Sequence, residues 1–197
     1  MHELAPIIRA LSQHRGRRHP ARRLLKRAAV ALVLRESDQG AQMLVIERAQ
    51  RDGDPWSGHL GFPGGRLETA DGRSGSRAAI RETAEELGLT LRPADGITRL
   101  SDIRTLDHRR RAPLILSPFV YRWPEPEQTL IPNHEVADWQ WITLAWLDEP
   151  SQRGTTRYRR YGLNLDLPCY DCAGQTRLWG LSLMIADELR HAIHRGL

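Results

Sequence analysis

The sequence is poor in lysine and cysteine and contains no long apolar segment. Of its 29 lysine and arginine residues, only Lys26 is a lysine. The 2 cysteines, Cys169 and Cys172, are spaced C-x-x-C without a second cysteine or histidine pair nearby, so we expect two ordinary thiols and not a zinc or redox site. No apolar run approaches the ~20 residues that a membrane-spanning helix needs, so we expect no membrane partner.

The N-terminal segment is basic but lacks the features of a secretory signal. Its charged stretch runs from Arg15 to Arg27, and no apolar core or small-residue cleavage site follows it. We therefore expect a cytoplasmic protein. The length of 197 residues is typical of one domain. We expect a basic N-terminal extension at 1–27, either a short helix or disordered, and a globular domain at 28–197.

The arginine-rich composition favours an anionic partner. The net charge is +5, and arginine presents a fixed fork of N–H donors that matches phosphate oxygens. A polyphosphate ligand or a nucleic acid would both suit this composition. For any single arginine, including those of the run Arg109–Arg111, a solvated position at the surface is the more common role.

Hydrophobic periodicity predicts an α/β sandwich around a mixed sheet. Strands are predicted at 28–35, 42–48, 96–106, 113–123 and 135–144. A loop rich in Gly, Asp and Pro spans 49–74, and helices are predicted at 76–87, ending before Gly88, and at about 178–194. Pro118 implies that the fourth strand lies at a sheet edge or contains a bulge.

The first of these helices carries an unusual concentration of negative charge. Glu82, Glu85 and Glu86 share one face, because they are spaced at i, i+3 and i+4. Each like-charged pair costs roughly 0.2–0.5 kcal/mol, and the negative pole of the helix adds to the cost. Arg81 offsets part of this repulsion through Glu85. The triplet is either a solvated acidic face or a site for a hard divalent cation.

The preceding loop favours the cation site. It contains Gly61-Phe62-Pro63-Gly64-Gly65, in which the glycines allow close approach of the backbone to a ligand, and it continues to acids at Glu68 and Asp71. A glycine-rich turn, an acid and a helix with the pattern RExxEExG are a rare combination.

These residues resemble the Nudix box, G-x5-E-x7-R-E-U-x-E-E-x-G-U, where U is a bulky aliphatic residue. The matching positions are Gly65, Arg81, Glu82, Glu85, Glu86, Gly88 and Leu89, with Thr83 at the first U. Six positions after Gly65 stands Asp71 in place of glutamate, and nine residues separate it from Arg81. Either Glu68 or Asp71 therefore fills the outer acidic position.

Two further segments resemble the coenzyme A diphosphatase branch of this superfamily. Residues 44–65, LVIERAQRDGDPWSGHLGFPGG, are similar to the signature that precedes the box, although its second arginine would fall at Gly53. The segment RLWGLS at 177–182 is similar to the one that opens the last helix of that branch. The resemblance covers about residues 28 to 193, so we expect a Nudix-type α/β/α sandwich within 28–197.

The resemblance implies metal-dependent hydrolysis of a nucleoside diphosphate linked to another moiety. The expected substrate is coenzyme A or an acyl derivative, giving 3′,5′-ADP and a 4′-phosphopantetheine product, with Mg²⁺ or Mn²⁺ as cofactor. The expected metal ligands are Glu82, Glu85, Glu86 and the Gly65 carbonyl. The expected catalytic residues are Glu85, Glu86, Arg81 and Glu135, and the expected substrate-binding residues are Arg48, Phe62 and Gly64.

Two alternatives stay open at this point. A Nudix hydrolase of ADP-ribose, a dinucleotide or a nucleoside triphosphate is favoured by the incomplete signature at Gly53. A non-catalytic module that binds nucleotides or nucleic acid would use the basic N-terminus as its arm, but the intact acidic triplet argues against it. We expect no nucleic-acid partner, and the sequence leaves a homodimer open. The tryptophans, including Trp56 and Trp179, are expected mainly in core or interface packing.

Overall fold

The computed structural model describes residues 3–51, 57–106, 112–124, 126, 128–160, 163–171 and 177–197. Several residues named above lie outside this part of the chain, namely Gly53, Trp56, Arg109–Arg111 and Cys172. No helix among the described residues is long and apolar enough to cross a membrane.

One mixed sheet forms the centre of the molecule. Its middle strand, β1 (Lys26–Arg35), is antiparallel to β2 (Gln42–Arg48) and so confirms the predicted hairpin. The other strands of this sheet are β3 (Leu60–Gly61), β4 (Gly64–Arg66), β5 (Gly96–Arg99), β6 (Ile103–Leu106), β7 (Pro113–Arg122) and β8 (Val136–Thr143). β7 is parallel to β1 and β4 is antiparallel to it. β3 and β8 pair with β2, whereas β5 and β6 pair with β7.

Helices cover both faces of this sheet, so the predicted α/β/α sandwich is confirmed. Alternate residues of β1 belong to two separate cores, with Leu32 in one and Val33 in the other, as the two-residue repeat of a strand requires. Helix α2 (Gly75–Leu87) packs on one face. Helices α1 (Leu4–Gln13) and α3 (Gly180–Gly196) pack on the other.

The N-terminal helix contributes to the core of the domain. Leu4, Ile7 and Leu11 of α1 are buried in the same cluster as Leu189 and Ile193 of α3. The spacing of the three α1 residues places them on one face of the helix. Helix α1 therefore packs against the C-terminal helix.

Two strand predictions need correction. Pro118 was expected at a sheet edge or a bulge. β7 lies inside the sheet, between β1 and the pair β5 and β6, so the sheet-edge alternative is wrong, and the register shift of this region lies in β5, between Gly96 and Thr98. A proline is tolerated there because β6 pairs with residues 113–116 of β7 and β5 with residues 119–121. The second correction concerns the single strand predicted at 96–106. It is two strands, β5 and β6, which pair with different parts of β7.

A second, three-stranded antiparallel sheet was not predicted. It consists of β9 (Arg153–Arg160), β10 (Leu163–Asp171) and β11 (Arg177–Trp179). Cys169 lies in β10 and is buried, and burial raises the pKa of its thiol. β11 ends directly at α3, so this small sheet positions the start of the last helix.

Candidate active site

Helix α2 is fixed at both ends, and the fixation of its C-terminus brings Glu135 towards the acidic residues. The hydroxyl of Ser74 accepts a hydrogen bond from the amide of Arg77, and Gly88 ends the helix at φ +66°. The last carbonyls accept hydrogen bonds from the loop before β8. Asn133 donates its amide to the carbonyl of Glu86 at 2.8 Å and its side chain to that of Glu85 at 2.9 Å.

The turn at Gly64 and Gly65 packs closely against its surroundings, and its backbone requires glycine at Gly64. Gly64 has φ +152°, and a Cβ there would lie 2.2 Å from the carbonyl oxygen of Ala29. A Cβ on Gly65 would lie 2.4 Å from the carboxylate carbon of Glu82. The amide of Gly64 also donates a hydrogen bond to Oε2 of Glu86 at 2.8 Å. The turn therefore lies directly against two of the helix carboxylates.

A cleft of about 740 Å³ opens beside this turn. Seven of the residues predicted from the sequence line it: Arg48, Phe62, Gly64, Gly65, Glu82, Glu86 and Glu135. Its walls come from the central sheet, from α2 and from the junction of β11 with α3. The fold thus joins residues that are far apart in the sequence into one site with both acidic and basic groups.

Arg81 and Glu85 do not line this cleft. Arg81 donates Nη1 to Oε2 of Glu85 at 2.9 Å and lies 3.0 Å from Oε1 of Glu82. The side chain of Glu85 is 55% exposed. Among the described residues, no three His, Cys, Asp or Glu side chains lie together closely enough to hold a metal ion. Glu82 and Glu86 therefore line the cleft, whereas Glu85 lies outside it against Arg81.

Asp71, not Glu68, is the acid that holds Arg81. Its carboxylate is 3% exposed and accepts hydrogen bonds from Nε and Nη2 of Arg81 at 3.3 and 3.2 Å. It also accepts the amide of Glu68 at 2.8 Å. Burial alone would raise the pKa of Asp71, but these hydrogen bonds outweigh it and lower the pKa. The same contacts raise the pKa of Arg81, so the pair stays ionised.

Glu86 is the most strongly perturbed carboxyl group of the cleft. It is 3% exposed, and burial raises its pKa to about 8. The hydrogen bond from Gly64 and the charge of Arg48 oppose this shift, while Glu82 and Glu135 add to it. Burial also raises the pKa of Glu82. Glu86 is buried, Glu82 is half-buried, and their charges repel each other, so an added cation is favoured because it would neutralise both.

Several residues of the cleft were not predicted. Arg51 lines it, and Nη2 of Arg51 lies 3.2 Å from Oε1 of Glu135. Trp179, expected in core or interface packing, also lines the cleft and contacts His59 edge to face, with ring centroids 4.8 Å apart. Arg51 stands two positions before the place where the signature has its second arginine, so a shifted alignment would have indicated it. Nothing in the local sequence indicated His59 or Trp179.

A family comparison agrees with this geometry. The model of the NUDIX domain matches residues 25–161. The chain belongs to the NUDIX family. The matched segment includes the whole of α2 and the glycine turn, and it leaves α1 and α3 outside. Nudix hydrolases generally use divalent metal ions. The carboxylates of Glu82 and Glu86 beside the Gly65 backbone are oxygen donors of the kind that Mg²⁺ and Mn²⁺ take.

Relatives and solved structures extend the match beyond the Nudix box. A probable nudix hydrolase of Schizosaccharomyces pombe is 29% identical over 175 residues, which are 84% of this chain and 55% of that protein. An uncharacterized protein of the same organism is 37% identical over 106 residues, which are 52% of this chain and 32% of that protein. A MutT/nudix family protein from Enterococcus faecalis superposes with a TM-score of 0.60 at 15% identity, over 86% of this chain and 62% of its own. The Nudix chain therefore spans about half of the first of these two curated relatives and about a third of the second.

Proposed function

We propose that this Nudix protein is a metal-dependent hydrolase of a diphosphate that joins a nucleoside to another moiety, with coenzyme A or acyl-CoA as substrate. The observation that carries the proposal is the cleft, which is lined by the carboxylates of the half-buried Glu82 and the buried Glu86 and by Arg48 and Arg51 at the end of β2. Carboxylates hold a divalent cation and arginines hold phosphate oxygens. A diphosphate is the ligand that needs both.

In this proposal the metal is held by Glu82 and Glu86 with the backbone carbonyl of Gly65. When bound, a divalent ion neutralises the diphosphate and makes a coordinated water more acidic. Glu85 can join these ligands only after it leaves the guanidinium of Arg81. Arg81 itself does not touch the cleft, so its proposed role is to position the acidic helix against Asp71.

Glu135 is the proposed proton acceptor for the attacking water, and Arg48 and Arg51 are the proposed substrate-binding groups. Arg48 and Arg51 line the cleft and would bind the diphosphate oxygens. Glu135 would accept a proton from the attacking water. In this structure its carboxylate is paired with Arg51, so a substrate phosphate that engages Arg51 would also release Glu135 for this task.

The lining of the cleft supports a substrate with a long uncharged arm. Besides its charged groups the cleft has a set of apolar residues from β6, β7 and α3: Leu106, Leu114, Leu116, Leu181 and Ile185. Pantetheine is mainly uncharged and extended, so it suits such a wall. The resemblance of 44–65 and 177–182 to the coenzyme A branch supports the same substrate.

A product-resolved panel tests the proposal. The protein is incubated with coenzyme A, acetyl-CoA, ADP-ribose, a diadenosine polyphosphate and a nucleoside triphosphate, each with Mg²⁺, with Mn²⁺ or with excess chelator. We expect 3′,5′-ADP and 4′-phosphopantetheine by mass spectrometry, and no product in chelator. The variant Glu86→Gln should retain at most about one hundredth of the turnover, since it loses one metal-binding carboxylate.

Each outcome has a distinct meaning. Hydrolysis of ADP-ribose but not of coenzyme A would reject the substrate while leaving the reaction class intact. Turnover that persists in chelator, or that Glu86→Gln does not change, would reject the metal-dependent mechanism. No hydrolysis of any compound, together with RNA or DNA binding that weakens steeply with salt, would favour the non-catalytic alternative.

A further inference from the structure

A second pocket, apart from the cleft, is rich in arginine. Its volume is about 380 Å³, and Arg22, Arg23, Arg27 and Arg73 line it together with Glu68. Four guanidinium groups and one carboxylate give this small surface a clear excess of positive charge. Because guanidinium groups repel one another when no anion lies between them, such a cluster favours an anionic ligand.

The carboxylates near these arginines are already engaged. Asp102 has a fully buried side chain, lies 3.3 Å from Nε of Arg22 and is also paired with Arg99. The carboxylate of Glu68 accepts an amide of the 3-10 turn Thr69–Asp71. The charge of Asp102 also acts on Arg27, but Asp102 is shared with Arg22 and Arg99. The four arginines of the pocket therefore outnumber the two acids beside them.

Arg27 is only partly satisfied by hydrogen bonds. Nη1 of Arg27 donates to the carbonyl of Arg73 at 2.8 Å, but its Nε is buried and has no hydrogen-bond partner among the described residues. Its pKa is lowered, first by burial and then by the charge of Arg22. The charge of Asp102 opposes this shift, and Arg73 and Arg99 add smaller contributions to it. An anion bound here would relieve both the desolvation and the repulsion.

The pocket also lies at the start of α2. An ideal Cβ on Gly75, the first residue of that helix, would lie 3.6 Å from Nη2 of Arg27. The first amides of a helix carry a partial positive charge, so the helix adds to the field of the four arginines.

We propose that this pocket binds a phosphate-bearing anion, such as a short inorganic polyphosphate, at a site separate from the cleft. Adjacent residues of paired strands divide the two sites: Ala28 and Arg66 line the cleft, whereas Arg27 and Leu67 line the pocket. Successive side chains of a strand point to opposite faces. A substrate bound in the cleft therefore cannot also place its phosphate groups in the pocket by extending along the strand.

Calorimetric titration with sodium tripolyphosphate tests this site. The titration uses the full chain in excess chelator at constant ionic strength, so that the cleft holds no metal and the result does not depend on hydrolysis. Variants Arg23→Gln, Arg27→Gln and Arg73→Asn should each weaken binding about tenfold, since each removes a charged donor. The matched control Arg9→Gln removes an exposed arginine of α1 and should change the affinity less than about twofold.

A further variant separates this pocket from the cleft. Arg51→Gln removes an arginine of the cleft and should leave tripolyphosphate binding unchanged. If Arg51→Gln abolishes binding while the three pocket variants bind normally, the anion site is the cleft and the proposal is wrong. Equal losses for Arg9→Gln and the pocket variants would show only non-specific attraction to a basic chain. Thermal melts of every variant confirm folding, and Arg23 is exposed, so at least this substitution is expected to leave the fold intact.

Discussion

Substitution of Glu86 by glutamine should stabilise the metal-free protein, and the gain should depend on pH. Burial raises the pKa of Glu86 from its ordinary value of 4.5 to about 8. Between these two values the folded protein holds a proton that the unfolded chain releases, so the free energy of unfolding falls as the pH rises. Glutamine carries no charge, and its side-chain oxygen can still accept the hydrogen bond from Gly64.

The size of this effect follows from the shift. Each pKa unit corresponds to about 1.4 kcal/mol, and the wild type begins to lose stability near pH 4.5 and reaches the full loss above about pH 8. Between pH 5 and pH 9, the stability difference between Glu86→Gln and wild type should therefore grow by on the order of 4 kcal/mol. The mutant should be the more stable protein at the upper end of this range.

Urea denaturation in excess chelator at pH 5, 7 and 9 measures the difference. Other titrating groups affect both proteins alike, so only the difference between them is interpreted. Glu85→Gln is the matched control, because Glu85 lies on the same helix with a side chain that is 55% exposed; it should change stability by no more than about 1 kcal/mol at any pH. A difference for Glu86→Gln that stays constant from pH 5 to 9 would refute the reasoning, since it would show that Glu86 ionises in the fold as easily as in water.

Three further substitutions distinguish residues that stabilise the fold from residues that support turnover. Gly65→Ala should leave the melting temperature within a few degrees but lower turnover at least about tenfold, because its Cβ displaces the Glu82 carboxylate; differential scanning fluorimetry and steady-state kinetics check this. Gly64→Ala should instead lower the free energy of unfolding by about 3 kcal/mol or more, measured in urea, since its Cβ meets backbone atoms. Asp71→Asn should lower turnover with little change in substrate affinity, because Arg81 loses its ionised partner; an unchanged kcat would contradict this positioning role.

The acidic helix was predictable because its signals are local. The spacing of Glu82, Glu85 and Glu86 and the terminal Gly88 depend only on the geometry of one helix, and the structure begins α2 at Gly75, one residue before the prediction. The central sheet was predictable for a similar reason, because its strands alternate between two apolar faces. The sheet of β9 to β11 was missed. Four of the 8 residues of β9 are arginines, which leaves no apolar repeat in that strand. The alternating apolar residues of β10, Leu163, Leu165 and Leu167, could have indicated a strand.

The division of roles within the site could not be predicted. All three glutamates have the same sequence context, yet Glu86 is buried against Gly64 while Glu85 turns to Arg81. That choice depends on which side of the helix faces the glycine turn, and therefore on tertiary packing. Arg51 and Trp179 enter the cleft from segments that meet only in the folded chain.

The placement of β1 has a consequence for how the chain can change in length. The segment before Arg81 has two more residues than the Nudix pattern. These residues are accommodated by the 3-10 turn Thr69–Asp71 and by the left-handed residues Gly72 and Arg73, so Asp71 still contacts Arg81. An insertion of one residue within β1 would have the opposite outcome. It would move every following side chain of the strand to the opposite face of the sheet. Residues that now pack in one core would then point into the other. Natural variants of this domain should therefore differ in length before α2 and keep the length of β1 constant.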